Sequence, residues 1–447
     1  MSLRSSARSL PAAILSIFPL ASIAATQTFT YGVDAGVAET DNVALSSTDR
    51  VSQTMAIADA DFDFKKQSRL LDADVKGNFT YLDYLQGAFN NQLIGRFDGI
   101  GHFALIPDRL TWALQDDFGQ SALDPFTATT PTNLENVNYV STGPDLTLRL
   151  GGTSFLNMGA RVSRVQFETS PFNSDRLSGN IAWGLQLSAL SSVSLNADTQ
   201  KVNFENTVLN TDFDRTDAFA RYEIHGARTD LSLDLGATTI SQSGASTTGG
   251  LGKIELSRKI SPAAKLTFSA GRDFTDAGSS FSSLQSGAIG VVGTAPAAQT
   301  SQSYASNYGS AGWQYQRNRT TISISGRYEK DVYSGQPSLD NSRGGGEFMA
   351  ERQLTHAFTA QLWGRLYKTN YGHAVVTALN GSSADYNDGL IAAGLTWRHG
   401  RGLEVRLRCE HTSRAATGLD AGFHENRVLV TVGYRPKPLG ENIDPGA

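Results

Sequence analysis

The strongest constraint on the fold of this chain is a period-two alternation of apolar and polar residues that recurs along most of its length. In residues 358–367 the even positions are apolar or small, and the odd positions are polar or aromatic. Residues 71–79, 231–235 and 403–410 repeat the pattern. Because successive side chains of a β-strand point to opposite faces, each such segment has one apolar and one polar face. The pattern predicts many strands that lie between an apolar medium and water.

The first residues have the features of an export signal. Arg4 and Arg8 precede an apolar stretch at residues 10–23, and small residues follow it. This order predicts a cleaved signal peptide over residues 1–25. A retained membrane anchor is the alternative, but the apolar stretch is short for a span and contains Pro19.

Beyond this segment the sequence has no run of 18 or more apolar residues, so no helical span is predicted. An integral protein without helical spans must be a closed barrel, because only closure pairs every backbone group in hydrocarbon. Short turns alternate with longer loops rich in Gly, Ser, Thr and Asn, as in barrels that have turns on one side of the membrane and loops on the other. We therefore predict an all-β, transmembrane, antiparallel up-and-down barrel over residues 26–435, followed by a polar tail at 436–447. The spacing indicates about twenty strands, within a range of roughly 16–22.

Charge and cysteine content exclude several other classes of protein. The formal net charge is −5, so the chain lacks the basic field that binds nucleic acid. Cys409 is the only cysteine, so no intramolecular disulfide can form, and no Cys/His spacing resembles a zinc site. We therefore predict no metal, no cofactor and no nucleic-acid partner.

If the polar face of each strand points inward, the barrel interior carries charges of both signs. Such charges either line a hydrated conduit and set its solute preference, or pair with one another and fill the interior, and the sequence does not choose between these. The residues predicted to line the lumen are Asp72, Asp74, Lys76, Arg96, Asp98, Arg149, Arg161, Arg221, Glu223, Lys253, Glu255, Arg327, Glu329, Arg365, Glu404, Arg406, Arg408 and Glu410.

A catalytic barrel is a further possibility, and it would need a nucleophile, a histidine and a carboxylate held together. Among the seven histidines, His411 has the most suggestive neighbours, Glu410 and Ser413. Adjacent strand residues point to opposite faces, however, so Glu410 is poorly placed to orient His411. We therefore predict no catalytic residues.

Two further features concern the barrel ends. The longest loop, residues 276–302, is rich in Ser, Gly and Ala, so a mobile surface loop is expected; alternatives are an inward constriction and a segment packed against a partner. Aromatic residues near strand ends are expected at the two headgroup levels. They are Tyr81, Tyr84, Trp112, Trp313, Tyr315, Tyr328, Tyr333, Tyr367, Tyr371 and Trp397.

The start of the predicted mature chain, YGVDAGVAETDNV at residues 31–43, resembles the opening of the putative beta-barrel porin 2 family. In that family, whose relatives are found with exopolysaccharide or exosortase systems, the first strand runs into an Asp-Asn-Val loop, here Asp41, Asn42 and Val43. The resemblance implies an outer-membrane barrel that is often encoded with polysaccharide assembly machinery. It implies no catalytic residues.

These observations together lead to three expectations about function. The first is an outer-membrane conduit of a Gram-negative cell for exopolysaccharide or other polar solutes. The second is a closed barrel that docks an envelope polysaccharide machinery, and the third is an outer-membrane hydrolase. The expected partners are outer-membrane lipid and lipopolysaccharide, with polysaccharide and periplasmic export proteins as further candidates.

Overall fold

The computed structural model describes residues 26–285, 302–372, 385–416 and 422–436. The predicted signal peptide and all but the first residue of the predicted tail lie outside this part of the chain. Within the described ranges, no helix is both long enough and apolar enough to cross a bilayer.

The described chain forms twenty strands, of which sixteen are 13–15 residues long and therefore long enough for a tilted membrane crossing. The strands are β1 Thr26–Thr40, β2 Gln53–Gln67, β3 Leu71–Tyr84, β4 Gln92–Ile106, β5 Leu110–Ala122, β6 Leu134–Arg149, β7 Ser154–Phe167, β8 Ser174–Ser188, β9 Ser191–Phe204, β10 Phe213–His225, β11 Thr229–Gln242, β12 Ala245–Ser261, β13 Ala264–Thr275, β14 Tyr304–Arg317, β15 Thr320–Tyr333, β16 Asn341–Gln353, β17 Phe358–Tyr371, β18 Tyr386–His399, β19 Leu403–Ala416 and β20 Phe423–Tyr434. One helix, α1, spans Ala277–Gln285, and short 3₁₀ turns occupy Pro131–Asn133 and Pro337–Leu339.

Each strand pairs antiparallel with its sequence neighbours, and β1 also pairs with β20, so the sheet closes into a barrel. The prediction of a closed, twenty-stranded, antiparallel barrel is therefore confirmed. The closing seam between β1 and β20 is short: it comprises eight residue pairs, from Val33 opposite Tyr434 to Thr40 opposite Arg427. By comparison, β1 and β2 form fifteen pairs.

Short connections lie at one end of the barrel, here called the turn end, and most longer ones lie at the other, the loop end. The connection between β11 and β12 is an exception, because it is a two-residue turn at the loop end. Its residues Ser243 and Gly244 have φ values of 52° and 78°, the left-handed conformation that tight hairpin turns require. The two strands remain paired up to this turn, where β-branched Thr239 and Thr248 pair across the hairpin with their Oγ1 atoms 3.0 Å apart.

The strand register defines an outer and an inner face. Large apolar side chains such as Val33, Leu195 and Leu366 are 49%, 58% and 64% exposed on the outer face. Of the aromatic residues expected at headgroup levels, Trp112, Trp397 and others lie on this face, but four of them do not. The register places Tyr84, Tyr333, Tyr367 and Tyr371 on the inner face instead, because their parity within the strand, rather than their nearness to its end, decides their direction.

Apolar packing inside the barrel is concentrated at the loop end, where buried hydrophobic residues form four clusters. We call these clusters together the collar. They comprise Met55, Ile57 and Tyr84; Val137, Val165, Phe167 and Phe281; Val202, Phe204, Phe213, Ile240 and Phe274; and Tyr304 and Tyr333, with further small neighbours. Below the collar, the inner face is polar and half exposed.

Candidate functional site: the barrel lumen

All eighteen residues predicted to line the lumen have the inner-face parity of their strands. In β19, for example, Glu404, Arg406 and Arg408 pair opposite Gly433, Thr431 and Leu429, whereas Leu407 between them lies on the outer face. The same holds along β3, where Asp74 and Lys76 lie opposite Lys65 and Asp63 of β2. The inner positions are Asp72, Asp74, Lys76, Arg96, Asp98, Arg149, Arg161, Arg221, Glu223, Lys253, Glu255, Arg327, Glu329, Arg365, Glu404, Arg406, Arg408 and Glu410.

Most of these charges pair along the wall rather than across the interior. Pairs are formed by Lys76 with Asp74 at 3.2 Å, Arg221 with Asp234 at 2.7 Å, Lys253 with Glu255 at 2.7 Å, Arg327 with Glu329 at 2.9 Å, and Arg408 with Glu410 at 2.6 Å. Each joins side chains of the same strand or of adjacent strands. Charges that pair along the wall leave the axis of the barrel free, which a cross-lumen network would not.

Many of the paired side chains below the collar remain in contact with solvent, although Glu404 and Asp234 are buried. The side chains of Lys253 and Glu255 are 41% and 52% exposed, and those of Arg327 and Arg408 are 43% and 40% exposed. A filled interior would bury them, because charged side chains packed into protein lose most of their accessible surface. The described residues therefore leave the middle of the barrel hydrated.

A segment that follows β13 turns inward at the loop end and narrows the lumen. The carboxylate of Asp276 accepts two hydrogen bonds from the guanidinium of Arg176 in β8, at 2.9 and 2.5 Å. Both side chains are almost completely buried, at 4% and 2% exposed. Helix α1 then continues along the inner wall, where Phe281 packs against Val137 and Val165. Residues 276–285 of the longest loop are thus an ordered inward segment, not a mobile surface loop.

The ion pair changes the pKa of the Asp276 carboxyl. Burial alone raises the pKa of the Asp276 carboxyl, but the adjacent Arg176 guanidinium outweighs burial and lowers that pKa to about 2. Hydrogen bonds from the Ser279 hydroxyl and the Gly278 backbone N–H act in the same direction. The local sequence signal for this arrangement was Asp276 itself, because Asp is a favoured residue directly before the start of a helix. No local sequence pattern marked its partner in β8, Arg176.

Further contacts hold the end of β13, directly before this segment, against the wall of β10–β12. Arg215 donates a hydrogen bond to Asp273 at 2.8 Å, and the ring of Phe274 packs into the collar. A Cβ atom at Gly249 would lie 2.3 Å from that ring, so only glycine at this position lets Phe274 lie against the wall. The position of the end of β13, from which the inward segment starts, therefore depends on residues from several strands.

The loop between β5 and β6 also reaches over the mouth of the barrel at the loop end. The rings of Phe126, between β5 and β6, and Tyr371, at the end of β17, have centroids 4.9 Å apart. Asn133 orders this loop by donating to the backbone oxygens of Asp124 and Ala128, at 2.9 and 3.1 Å. Strands β5 and β17 are not neighbours in the sheet, so the contact narrows the mouth from a second direction.

The two residues marked by the family resemblance hold the barrel seam at the loop end. Asn42 is fully buried, and its side-chain amide donates to the backbone oxygens of Ser46 and His424, at 2.8 and 2.9 Å. Asp41 accepts hydrogen bonds from the backbone and side-chain nitrogens of Asn426, at 2.8 and 2.7 Å. Asp41 and Asn42 therefore join the end of β1 to β20.

The turn end of the seam has its own clamp, which the sequence did not indicate. Arg435, directly after β20, folds inward and forms ion pairs with Asp61 of β2 and with Glu404 of β19, the latter at 3.1 Å. Gly32 makes room for it, since a Cβ there would lie 2.5 Å from the guanidinium. One side chain thus bridges three strands around the seam.

The best fragment of a catalytic triad does not assemble. His411 lies on the outer face, and its Nδ1 is 2.8 Å from the Oδ1 atom of Asn426. Glu410 lies on the inner face and pairs with Arg408. Within the described ranges, no group of three or more His, Cys, Asp or Glu residues is placed to hold a metal ion.

Comparisons with known proteins find no family model that matches the chain and no curated protein that matches its sequence. Solved structures do show a similar backbone. The FrpB iron transporter from Neisseria meningitidis (F5-1 variant) is 10% identical, with 91% of this chain and 82% of that chain covered and a TM-score of 0.49. A mutant of the ferric enterobactin receptor PfeA from Pseudomonas aeruginosa, in complex with enterobactin, is 10% identical, with coverages of 91% and 81% and a TM-score of 0.47. The copper transporter OprC is 11% identical, with coverages of 91% and 80% and a TM-score of 0.42. Similarities this distant do not identify a solute.

Proposed function

We propose that the chain is an outer-membrane channel for polar solutes, and that polysaccharide chains are the class of solute it carries. The observation that carries the proposal is the contrast between the two faces of the wall. The outer face exposes large apolar side chains, while the inner face below the collar exposes paired charges and amides to solvent. This is the arrangement of a membrane barrel around a water-filled path.

The inner wall also carries the groups that interact with sugars. Aromatic rings lie among polar side chains, as where Trp363 has the guanidinium groups of Arg365 and Arg408 over its ring at 5.8 and 5.6 Å. Polar side chains that fix orientation beside apolar and aromatic surfaces are typical of small-molecule sites. The resemblance of residues 31–43 to barrels found with polysaccharide systems agrees with this class of solute.

The outer-membrane location is part of the same proposal. A closed barrel without helical spans in its described part, preceded by a predicted signal peptide, fits assembly from the periplasm. In this orientation the turn end faces the periplasm and the loop end faces the cell exterior. The collar and the inward segment would then narrow the outer mouth.

Planar-bilayer recording tests the proposal directly. Purified protein should give discrete conductance steps, and uncharged polysaccharide added to either side should block them in a concentration-dependent way. Steps without any blockade would leave a channel for small solutes and reject the polysaccharide class. Absence of steps would reject the channel.

A closed docking barrel is the second candidate, and one observation favours it. The inward segment and the contact of Phe126 with Tyr371 both narrow the loop end. A docking barrel would retain periplasmic export proteins in a pull-down and show no conductance. Conductance by the wild-type protein decides against it.

A further inference from the structure

A pocket in the lumen wall below the inward segment has the chemistry of a specific binding site. It lies on the inner faces of β7–β10 and has a volume of about 580 Å³. This is within the range of roughly 300–1,000 Å³ that is usual for small-molecule sites. Arg215, which donates a hydrogen bond to Asp273 at the end of β13, is also part of the pocket lining. The pocket therefore lies directly below the collar.

The pocket contains several polar side chains whose hydrogen-bonding capacity is unused within the described chain. The side chains of Asn180, Asp198 and Gln200 form no hydrogen bond to other described residues, and the Oδ1 atom of Asn157 is buried without a partner. Asn180 and Asp198 lie directly opposite each other in the register of β8 and β9. Amides and a carboxylate in one patch can accept from and donate to several hydroxyl groups at once.

An aromatic ring forms one end of the pocket. Phe155 of β7 lies opposite Gly184 of β8, where a Cβ atom would be 2.1 Å from its ring. The ring therefore lies flat along the wall, and it lines the pocket with its other face. An aromatic face beside hydrogen-bonding groups matches a sugar unit, which has C–H groups on its ring faces and hydroxyls at its edge.

The charges of the pocket determine which kind of sugar fits. Both cations are already engaged: Arg215 pairs with Asp217 and Asp273, and Arg221 forms two hydrogen bonds with Asp234. Asp198 and Glu223 form no ion pair or side-chain hydrogen bond in the described chain, although the charges of Arg221 and Arg215 lie near enough to act on Asp198. With three carboxylates and two guanidinium groups, the lining is net negative. An acidic sugar would bring a further carboxylate to a lining that is already net negative, and like charges repel.

We propose that this pocket binds uncharged sugar units and selects against acidic ones. This inference rests on the proposed polysaccharide channel and specifies its substrate class. Binding of a sugar unit there would pause a chain on the periplasmic side of the collar.

The test is calorimetric titration of the purified full-length barrel in detergent. The probes are uncharged hexasaccharides of α-linked glucose, β-linked glucose and β-linked N-acetylglucosamine, and hexagalacturonate as the acidic counterpart. At least one uncharged probe should bind, with an affinity at least tenfold higher than that of hexagalacturonate. Binding should weaken about tenfold in Asn180→Leu and in Phe155→Ala.

A matched control is Gln314→Leu, which removes an exposed inner-face amide of β14, away from the pocket. It should leave affinity unchanged. In Asp198→Asn, hexagalacturonate should gain affinity while the uncharged probes change little, because only the negative charge is removed.

The outcomes separate this inference from the channel. Binding of an uncharged probe without any conductance supports the pocket and rejects the channel. Three results would overturn the proposed binding site: no uncharged probe binds, hexagalacturonate binds preferentially, or binding is insensitive to both pocket variants. If conductance is still observed in these cases, the channel proposal remains.

Discussion

Arg176 and Asp276 are one hundred positions apart in the sequence and form a buried, doubly hydrogen-bonded ion pair inside the barrel. The pair joins β8 to the segment that follows β13, across the inner face of the strands between them. It is the main polar contact of the inward segment, and Phe281 is its main apolar one. The shape of the outer mouth therefore depends on a contact between two distant parts of the chain.

Arg176→Met should release the inward segment without unfolding the barrel. The substitution leaves the Asp276 carboxylate buried and unpaired, and removal of one partner of a buried pair costs about 3–5 kcal/mol. The backbone pairing of the barrel is unaffected. Detachment of the segment would therefore return the unpaired carboxylate to water while the barrel stays folded. We expect new protease cleavage within residues 276–285 and a larger single-channel conductance.

Arg164→Met is the matched control. Arg164 also pairs with acidic residues, Asp175 and Glu205, but on the outer face and 45% exposed, where such pairs contribute at most about 1 kcal/mol. It should change neither measurement. Equal effects of the two substitutions would show that the buried pair does not hold the segment.

Acid should release the same segment. The pKa of Asp276 is lowered to about 2 in the folded state, so its contribution to stability is complete above about pH 4 and is lost as the pH falls through about 2. The shift corresponds to about 2 kcal/mol. Cleavage by pepsin within residues 276–285 should therefore rise steeply between about pH 4 and pH 2. Asp276→Asn removes the titrating group and should give a flat profile; an unchanged steep rise in that variant would assign the effect to other carboxyls.

Asn42→Ala should weaken the barrel seam. The substitution leaves the backbone oxygens of Ser46 and His424 without their buried donor, and each unsatisfied group costs roughly 1–3 kcal/mol. The seam has only eight residue pairs to share this loss. We expect the folded, fast-migrating band in unheated gel electrophoresis to convert to the unfolded band at a clearly lower temperature. Asn206→Ala, which removes hydrogen bonds within a single loop, should shift this temperature less.

Arg435→Ala should weaken the turn end of the seam, and its effect should overlap with that of Asp61→Ala. Because the two side chains form one ion pair, the double variant should lose clearly less stability than the sum of the single variants. The measurement is the same temperature of band conversion. Additive losses would mean that Arg435 and Asp61 do not stabilise the barrel through their ion pair.

Cys409 offers a test of the two faces of the wall. It lies exposed on the outer face of β19, opposite Val428 and Ala393. In lipid vesicles it should react with an apolar maleimide and resist a charged one. Ser325→Cys, placed on the exposed inner face of β15 in a Cys409→Ser background, should show the reverse preference. Fast labelling of Cys409 by the charged reagent would mean that this face is not in lipid.

The sequence alone determined the strand count, the alternation of most turns and loops, and the inner or outer direction of residues such as Arg406 and Leu407. These properties are local: period-two alternation sets the face of each side chain, and turn residues end each strand. The same locality explains one error, since Tyr84 and Tyr333 were assigned from their nearness to strand ends when parity pointed them inward.

Only the tertiary structure decided how the interior is arranged. The partnership of Arg176 with Asp276, the bridge of Arg435 across the seam and the pocket formed by Asn180 with Asp198 each join residues from different strands. Such contacts depend on strand order, register and the closure of the sheet, and none of these is encoded by a pattern within a single segment. The physical reason is that these particular side chains reach their partners only when closure of the sheet brings other strands within reach.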